Sequence, residues 1–207
     1  MGDHVGDDPA AVTENRARVA AAARLPPPTS WVWLRQVHGA AVHVAERPTR
    51  EPPEADAAVT GRPGLPLAVT TADCAPVVLA CGAAVAVAHA GHRGILAGVI
   101  EATVERLRAA AGGPVEAFLG PCIRPQHYEF GVADLERVVA RLGPQVAATT
   151  AAGRPALDLP AAVRVALARA GVEALHDCGV CTAASPHHFS HRRDGLTGRQ
   201  VTVAVLT

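Results

Sequence analysis

The chain has 207 residues, of which 49% are hydrophobic, and its formal net charge at pH 7 is zero. This length suits a single domain over residues 1–207 with a sizeable core. The lack of a basic stripe argues against a nucleic-acid partner, because phosphate binding needs clustered cations. No apolar run opens the chain and none reaches the ~18 residues of a membrane span, so we expect no membrane partner and a cytoplasmic location.

Hydrophobic periodicity and Gly or Pro punctuation predict the elements in chain order. A helix over residues 8–24 precedes strand-like segments at 31–35, 41–45, 67–71, 77–80 and 85–88. Apolar residues then recur at helical spacing from 96 to 107. A strand at 115–119, a helix at 134–142, a helix from the Asp158 cap to 170 and a closing strand at 200–206 follow. This mixed order predicts an α/β (mixed α+β) fold in which helices flank several strands.

Three polar segments lie where predicted strands end. They read Gln-Val-His-Gly at 36–39, Thr-Ala-Asp-Cys-Ala-Pro at 71–76 and His-Ala-Gly-His-Arg-Gly at 89–94. Binding sites form where the loops of a sheet converge. One His, one Cys and one His from these segments can supply three zinc ligands and leave a fourth position for water or substrate.

Spacing alone leaves other interpretations of these residues open. The chain has no HExxH cluster, and a lone turn histidine or a lone cysteine before a strand is typical of an ordinary structural residue. A metal-free hydrolase with Cys74 as nucleophile and His89 as base would use the same residue types. The CxxC pair at 178–181 fits half a zinc site or a redox pair, but we favour a packed Cys178 and a loop Cys181.

Further polar residues are candidates for substrate binding. Arg93 and Arg193 either bind an anion, because a guanidinium fork matches phosphate, or form surface salt bridges. The Gly-Pro-Cys-Ile turn at 120–123, which contains Cys122, follows a strand and is placed to aim backbone N–H groups into a cleft. The histidines at 187, 188 and 191 lie in a polar loop, where we expect them to be solvated.

Taken together, a set of short segments in one order over nearly the whole chain resembles one known family. Its members are called multicopper polyphenol oxidases, laccase-domain proteins or peptidoglycan editing factors, and they are regarded as zinc-dependent purine nucleoside phosphorylases. Each segment alone is a weak signal, but the ordered set is specific. The matching segments are 5–8, 14–16, 36–39, 55–57, 71–76, 89–94, 120–123, 128–131, 190–195 and 197–200.

The resemblance implies that His38, Cys74 and His89 hold one zinc ion at the catalytic centre. Asp73 adjoins one ligand, and we expect it either to take part in catalysis as a charge stabiliser or ligand partner, or to cap a turn. The implied reaction is phosphorolysis of adenosine, inosine, guanosine and methylthioadenosine, with adenosine deamination as a companion, so the partners are a purine nucleoside and phosphate. The implied fold is a layered sandwich with a central mixed β-sheet flanked by helices, related to deamidating bacterial toxins.

The chain departs from the family pattern at three places. His92 stands where the family usually has Trp, which puts it in the substrate-binding region, and His191 stands where the family usually has Tyr. Both changes keep a planar ring and add a nitrogen atom, so we expect His92 either to alter substrate stacking or to offer an alternative metal ligand three residues from His89. The chain also begins where most members have already made an N-terminal strand, so we expect one edge of the fold to lack it.

The family names leave two rival functions and the oligomeric state open. A copper-dependent phenol oxidase needs a cysteine-bearing copper site and a copper cluster held by many histidines. The chain has 10 His and no His-x-His pair, so copper is less favoured than zinc. An editing role, in which the protein acts on a cell-wall precursor, is the second rival.

Overall fold

The computed structural model describes residues 1–2 and 5–207, and Asp3 and His4 lie outside the described residues. The helices in the described part of the chain are α1 (Pro9–Ala22), α2 (His92–Ala97), α3 (Val99–Ala111), α4 (Val132–Leu142), α5 (Leu159–Arg169) and α6 (His191–Asp194). The strands in the same residues are β1 (Val42–Val44), β2 (Ala57–Thr60), β3 (Leu67–Thr71), β4 (Ala75–Cys81), β5 (Ala84–Ala90), β6 (Glu116–Leu119), β7 (Ala147–Thr149), β8 (Pro155–Leu157), β9 (Ala174–Asp177) and β10 (Gln200–Ala204).

Six strands form the main sheet in the order β1-β2-β5-β4-β6-β9. The outer pairs, β1 with β2 and β6 with β9, are parallel, whereas the inner pairs are antiparallel. Strands β3 and β10 form a separate antiparallel ribbon, and β7 pairs with β8. The predicted mixed α/β fold with a central mixed sheet and flanking helices is confirmed.

Strand β5 shows why the sheet lies between two layers. Its alanines at 84, 86, 88 and 90 belong to the core cluster that includes the buried faces of α3 and α5. Val85 and Val87 alternate with them and pack on the other face, against Leu67 and Val69 of the ribbon. Successive side chains of a strand point to opposite faces, so β5 is buried on both sides, and small alanines leave room for the helices.

Two predicted elements differ from the observed ones. The segment at 31–35 is not a strand and forms only isolated β-bridges. The stacked indoles of Trp31 and Trp33 donate to the carbonyl oxygens of Pro26 and Pro28 and hold the segment in an irregular conformation. The helix predicted through 96–107 is two helices, broken at Gly98, whose φ of +91° suits glycine. Strand β2 was not predicted, although all four of its residues are buried.

No helix in the described residues is both long enough and apolar enough to cross a membrane.

Candidate metal centre

Three chain segments meet at one end of the main sheet and bring together the side chains of His38, Cys74 and His89. Their ligand atoms all lie within 4.8 Å of one another. His38 Nε2 is 3.8 Å from Cys74 Sγ, and the two imidazole rings meet edge to face with centroids 4.7 Å apart. Two imidazoles and one thiolate are donors that zinc accepts, and three protein ligands are typical of a catalytic site. This group could therefore hold a metal ion.

Asp56 orients two of the three candidate ligands, and the sequence interpretation did not assign it a role. Its Oδ1 accepts a hydrogen bond from His89 Nδ1 at 2.8 Å, which leaves His89 Nε2 for a metal. Residues 56 and 89 are neighbours across β2 and β5, and His89 N donates to the Asp56 carbonyl oxygen at 2.7 Å. A carboxylate behind a ligating histidine fixes its tautomer and ring direction.

The same carboxylate holds the turn that carries His38. Backbone N–H groups of Val37, His38 and Gly39 donate to Asp56 at 3.1, 2.9 and 2.7 Å. His38 has φ +61°, a conformation that is costly for a residue with a side chain. Burial alone would raise the pKa of Asp56, but hydrogen bonds from His89, Gly39 and Val37 outweigh burial and hold that pKa below its ordinary value.

Cys74 lies at the turn between β3 and β4. The junction between β5 and α2, at Gly91, packs closely against it. A Cβ built on Gly91 would come within 2.9 Å of Cys74 Sγ and 3.2 Å of His38 Cδ2, so only glycine fits there. Burial would raise the pKa of the Cys74 thiol, but His89 and His38 outweigh it and lower that pKa. The same pairing with Cys74 and Asp56 raises the pKa of His89 against the effect of its burial. The site favours the thiolate that a metal ligand must be.

A cavity of about 260 Å³ opens over the three candidate ligands. Two of its lining residues, His191 and Arg199, come from the far end of the chain and were not predicted to be there. Arg199 Nη1 donates to the carbonyl oxygens of Thr197 and Gly198 at 2.8 and 3.0 Å, and no other described residue pairs with its remaining donors. The remaining lining residues are Gln36, Thr70, Thr71 and Ala72.

The Asp73 side chain joins the turn before Cys74 to the C-terminal loop. Its Oδ1 accepts from Thr182 Oγ1 at 2.6 Å, and its Oδ2 accepts from the backbone N–H of Arg192 at 2.7 Å. Its φ is +97°, so the sharp turn before Cys74 depends on these bonds. Of the roles predicted for Asp73, this geometry favours the structural one, with the turn clamped to the C-terminal loop.

Two predicted substrate-binding residues, Cys122 and Arg193, form hydrogen bonds within the protein, and the Cys122 N–H that was expected to face a cleft donates to the Val180 carbonyl oxygen at 3.3 Å. The Cys122 side chain is fully buried in the main core, and burial raises the pKa of its thiol to about 12. The Arg193 guanidinium donates to the carbonyl oxygens of Thr182, Ser185 and His188 and to Asp194. Because its donors are used by partners within residues 182–194, the Arg193 side chain stabilises that loop. Sequence reasoning also expected Cys178 to pack, and it is exposed.

His92 and Arg93 lie at the start of α2, beside the ligand triangle but outside the lining of the cavity. The half-buried His92 ring meets Phe130 edge to face at 5.0 Å, and its Nδ1 is 3.3 Å from the Tyr128 hydroxyl. Arg93 is exposed, and no described residue forms an ion pair with it. His92 is thus held by aromatic neighbours, while Arg93 is available to an anion at the surface.

Comparisons with known proteins agree with this architecture. A model of the family described as multi-copper polyphenol oxidoreductase laccase matches residues 1–207. A protein of Mycobacterium tuberculosis strain H37Rv named purine nucleoside phosphorylase is 45% identical over 205 residues, which cover 96% of this chain and 81% of that protein. A protein of Streptomyces coelicolor with the same name is 43% identical over 205 residues, covering 96% of this chain and 84% of that protein.

A solved structure matches as well. The crystal structure of YlmD from Geobacillus stearothermophilus has a TM-score of 0.89 and 32% sequence identity, and the match covers 98% of this chain and 83% of that one. The family model spans the full sequence, and the relatives and the fold agree with it. The chain belongs to the multi-copper polyphenol oxidoreductase laccase family.

Proposed function

We propose that this protein is a zinc-dependent purine nucleoside phosphorylase, with zinc held by His38, Cys74 and His89. The observation that carries the proposal is the convergence of these ligand atoms within 4.8 Å, backed by the buried Asp56 carboxylate on His89 Nδ1. The names of the relatives support the reaction class. The proposed substrates are inosine, adenosine, guanosine and methylthioadenosine, each with inorganic phosphate.

The residues around the cavity can each be given a role in such a reaction. Zinc, when bound, would supply a Lewis acid that stabilises charge in the substrate. Arg199 offers a permanent cation with unused donors inside the cavity, which suits phosphate. Arg93, at the surface nearby, is the second candidate for attracting phosphate. The cavity walls position phosphate and nucleoside together, which lowers the entropic part of the barrier.

A paired measurement tests site and reaction together. Purified protein is analysed for metal and then assayed for hypoxanthine release from inosine with and without phosphate. We expect about one zinc per chain, release that depends on phosphate, and loss of both in Cys74→Ser. If hypoxanthine is released equally fast in buffer that contains neither phosphate nor arsenate, the enzyme is a hydrolase. Zinc-loaded protein that releases no base from any of the four nucleosides would overturn the proposal.

Adenosine deamination is a finer point of the same proposal. Deamination of adenosine yields inosine and ammonia, so coupled ammonia detection in the absence of phosphate separates it from phosphorolysis. Copper chemistry of the kind in the family's descriptive name would need several metal sites. Among the described residues, only the His38, Cys74 and His89 group meets the geometric requirement for metal ligation.

A metal-free cysteine hydrolase is a second candidate, and one observation favours it. Cys74, with its lowered pKa, lies beside two imidazoles, and Asp56 orients His89 as it would a catalytic base. Hydrolase activity that persists after chelation and dialysis, and that iodoacetamide abolishes by modifying Cys74, would select this candidate. Activity that is lost on chelation and restored by zinc would select the phosphorylase.

A further inference from the structure

His191 brings a further imidazole to the cavity over the candidate metal ligands. It is the first residue of α6 and one of the residues that line the cavity. Its Nδ1 lies 2.8 Å from the carbonyl oxygen of Gly195, and because a carbonyl only accepts, Nδ1 must be the donor. The other ring nitrogen, Nε2, is therefore the atom that can exchange a proton with a ligand.

The position of this imidazole is fixed relative to the ligand loop. Ser190 is fully buried and caps α6 by accepting from Arg193 N at 3.2 Å. On the other side of His191, the N–H of Arg192 donates to Asp73 at 2.7 Å, and Asp73 directly precedes Cys74. One carboxylate thus joins the segment that carries His191 to the turn that carries a candidate ligand.

The chemistry of the lining residues singles out this histidine. Three of the titratable groups that line the cavity, His38, Cys74 and His89, are committed to the metal in the proposed function. Arg199 stays protonated at any pH the protein meets. On α6 itself, Arg193 and Asp194 are paired with each other and Arg192 donates to the Glu129 carbonyl oxygen, so these charges are engaged elsewhere. Of the titratable groups in the described lining, His191 is the one outside the candidate ligand set whose ring nitrogen can both give up and take up a proton.

We propose that His191 is the general acid that protonates the departing purine, an inference that rests on the proposed phosphorylase function. The C1′–N9 bond breaks with its electron pair going to the base, and a phosphate oxygen forms the new bond to C1′. Nε2–H of the His191 imidazolium donates its proton to the purine. The proton lost from the phosphate restores the imidazolium, so atoms and charge balance.

Leaving-group dependence tests this role. The base of 7-methylinosine already carries a positive charge and leaves without being protonated, whereas the base of inosine does not. We expect His191→Phe to lower kcat/KM for inosine by about 10²–10⁴-fold, the usual contribution of a general acid, and to change the value for 7-methylinosine by less than about tenfold. His191→Tyr, whose phenol can still donate a proton, should recover part of the inosine activity.

A matched control is His187→Phe, the same substitution in the same loop at an exposed position outside the cavity lining, which should behave as the wild type. Equal losses on both nucleosides, or no loss on inosine, would overturn the role of His191, as would loss of zinc from His191→Phe. Wild-type protein that is zinc-loaded but inactive on both nucleosides would instead refute the phosphorylase function, and this inference with it.

Discussion

Asp56 and His89 face each other across β2 and β5 and join the two imidazole-bearing segments of the site through one buried carboxylate. The His89 ring donates to the same side chain that accepts from the three N–H groups of the His38 turn. Asp56 is 0% exposed and the His89 side chain 5%, so water cannot replace these bonds. Ring direction and turn conformation therefore depend on the same residue.

Asp56→Asn should weaken metal binding without unfolding the protein. The amide keeps the shape of the carboxylate, but its NH₂ group must face N–H donors and leave at least one of them unsatisfied. We expect a loss of about 10–100-fold in zinc affinity and of about 1–3 kcal/mol in the free energy of unfolding. Zinc competition with a chromophoric chelator and urea denaturation measure the two effects.

Glu54→Gln is the matched control, because Glu54 lies two residues before Asp56 and forms an exposed pair with Arg35. Such pairs contribute less than about 1 kcal/mol, and this one does not touch the site. Wild-type zinc affinity in Asp56→Asn would show that the carboxylate is dispensable for holding His89.

Gly91→Ala should damage the metal site by steric contact alone. Gly91 has φ −76° and ψ 164°, which alanine adopts freely, so no backbone strain is added. The new methyl group would displace Cys74 Sγ and His38 from their present positions. Because small misplacements of reacting groups are costly, we expect activity to fall about 10²-fold, with a melting temperature close to that of the wild type.

The control for this variant is Gly61→Ala, where the nearest atom to the added Cβ is a carbonyl oxygen at an ordinary 3.5 Å. Gly61 is exposed and distant in sequence from the ligands. Full activity in Gly91→Ala would mean that the close approach of Gly91 to Cys74 has no part in shaping the site.

Arg199→Gln should raise the KM for phosphate more than Arg93→Gln does. Arg199 lines the cavity with donors unused, whereas Arg93 is exposed outside it. A hydrogen bond to a charged group contributes about 1.5–3 kcal/mol, so the KM should rise by roughly 10–100-fold while zinc content stays unchanged. Initial rates at varied phosphate measure this, and a larger effect from Arg93→Gln would reverse the assignment.

The Arg124–Asp177 pair should make stability depend on pH below neutrality. Arg124 donates to both oxygens of Asp177 at 2.7 and 2.5 Å. This bond outweighs partial burial and holds the pKa of Asp177 below its ordinary 3.8. With a depressed folded-state pKa, the pair stabilises the fold fully above the ordinary value, and its contribution is lost as the pH falls through the folded value.

Arg124→Gln should therefore destabilise the protein at neutral pH by about 1 kcal/mol, a value limited by solvent screening. The difference from wild type should shrink at about pH 3, as urea denaturation at the two pH values would show. Arg137→Gln, which removes an exposed helical pair with Asp134, serves as the control. A difference that is the same at both pH values would contradict a role for the Asp177 charge.

Cysteine alkylation should report the occupancy of the metal site. Cys178 is exposed and should react with iodoacetamide under all native conditions. Cys74 should react only after chelation, since zinc would hold its thiolate. Cys122 and Cys81 are buried and should stay unmodified until the protein unfolds. Peptide mass spectrometry measures each site, and rapid labelling of Cys74 in zinc-loaded protein would contradict ligation.

Local patterns predicted those parts of the fold that local sequence determines. The strand at 67–71 was placed correctly because an apolar run between Gly or Pro boundaries is typical of a buried strand. Strand β2 was missed since its Ala-Ala-Val-Thr sequence is short and lacks large apolar residues. The break at Gly98 was missed because the apolar spacing continues across it, although a glycine within a helical pattern is itself a local signal for a residue with positive φ.

The candidate site was predicted less evenly. The three ligand positions came from the resemblance to a family, because residues so far apart along the chain have no local signature. Asp56 lies in a segment that resembles the family, 55–57, and directly precedes a buried apolar segment, but no role was assigned to it. His191 and Arg199 also lie in matching segments, 190–195 and 197–200, but their place in the cavity was not predicted because it depends on tertiary packing, including the pairing of β10 with β3. Arg193 was predicted to bind an anion because the sequence does not show that its guanidinium donates to backbone carbonyl oxygens.

The bond from Asp73 to the backbone of Arg192 also has a consequence for how the protein matures. It spans more than half of the polypeptide, and the cavity takes walls from residue 36 at one extreme and residue 199 at the other. During translation the ligand-bearing strands leave the ribosome well before the segment that closes over them. The cavity over the candidate ligands therefore cannot be complete until almost the whole chain has been synthesised.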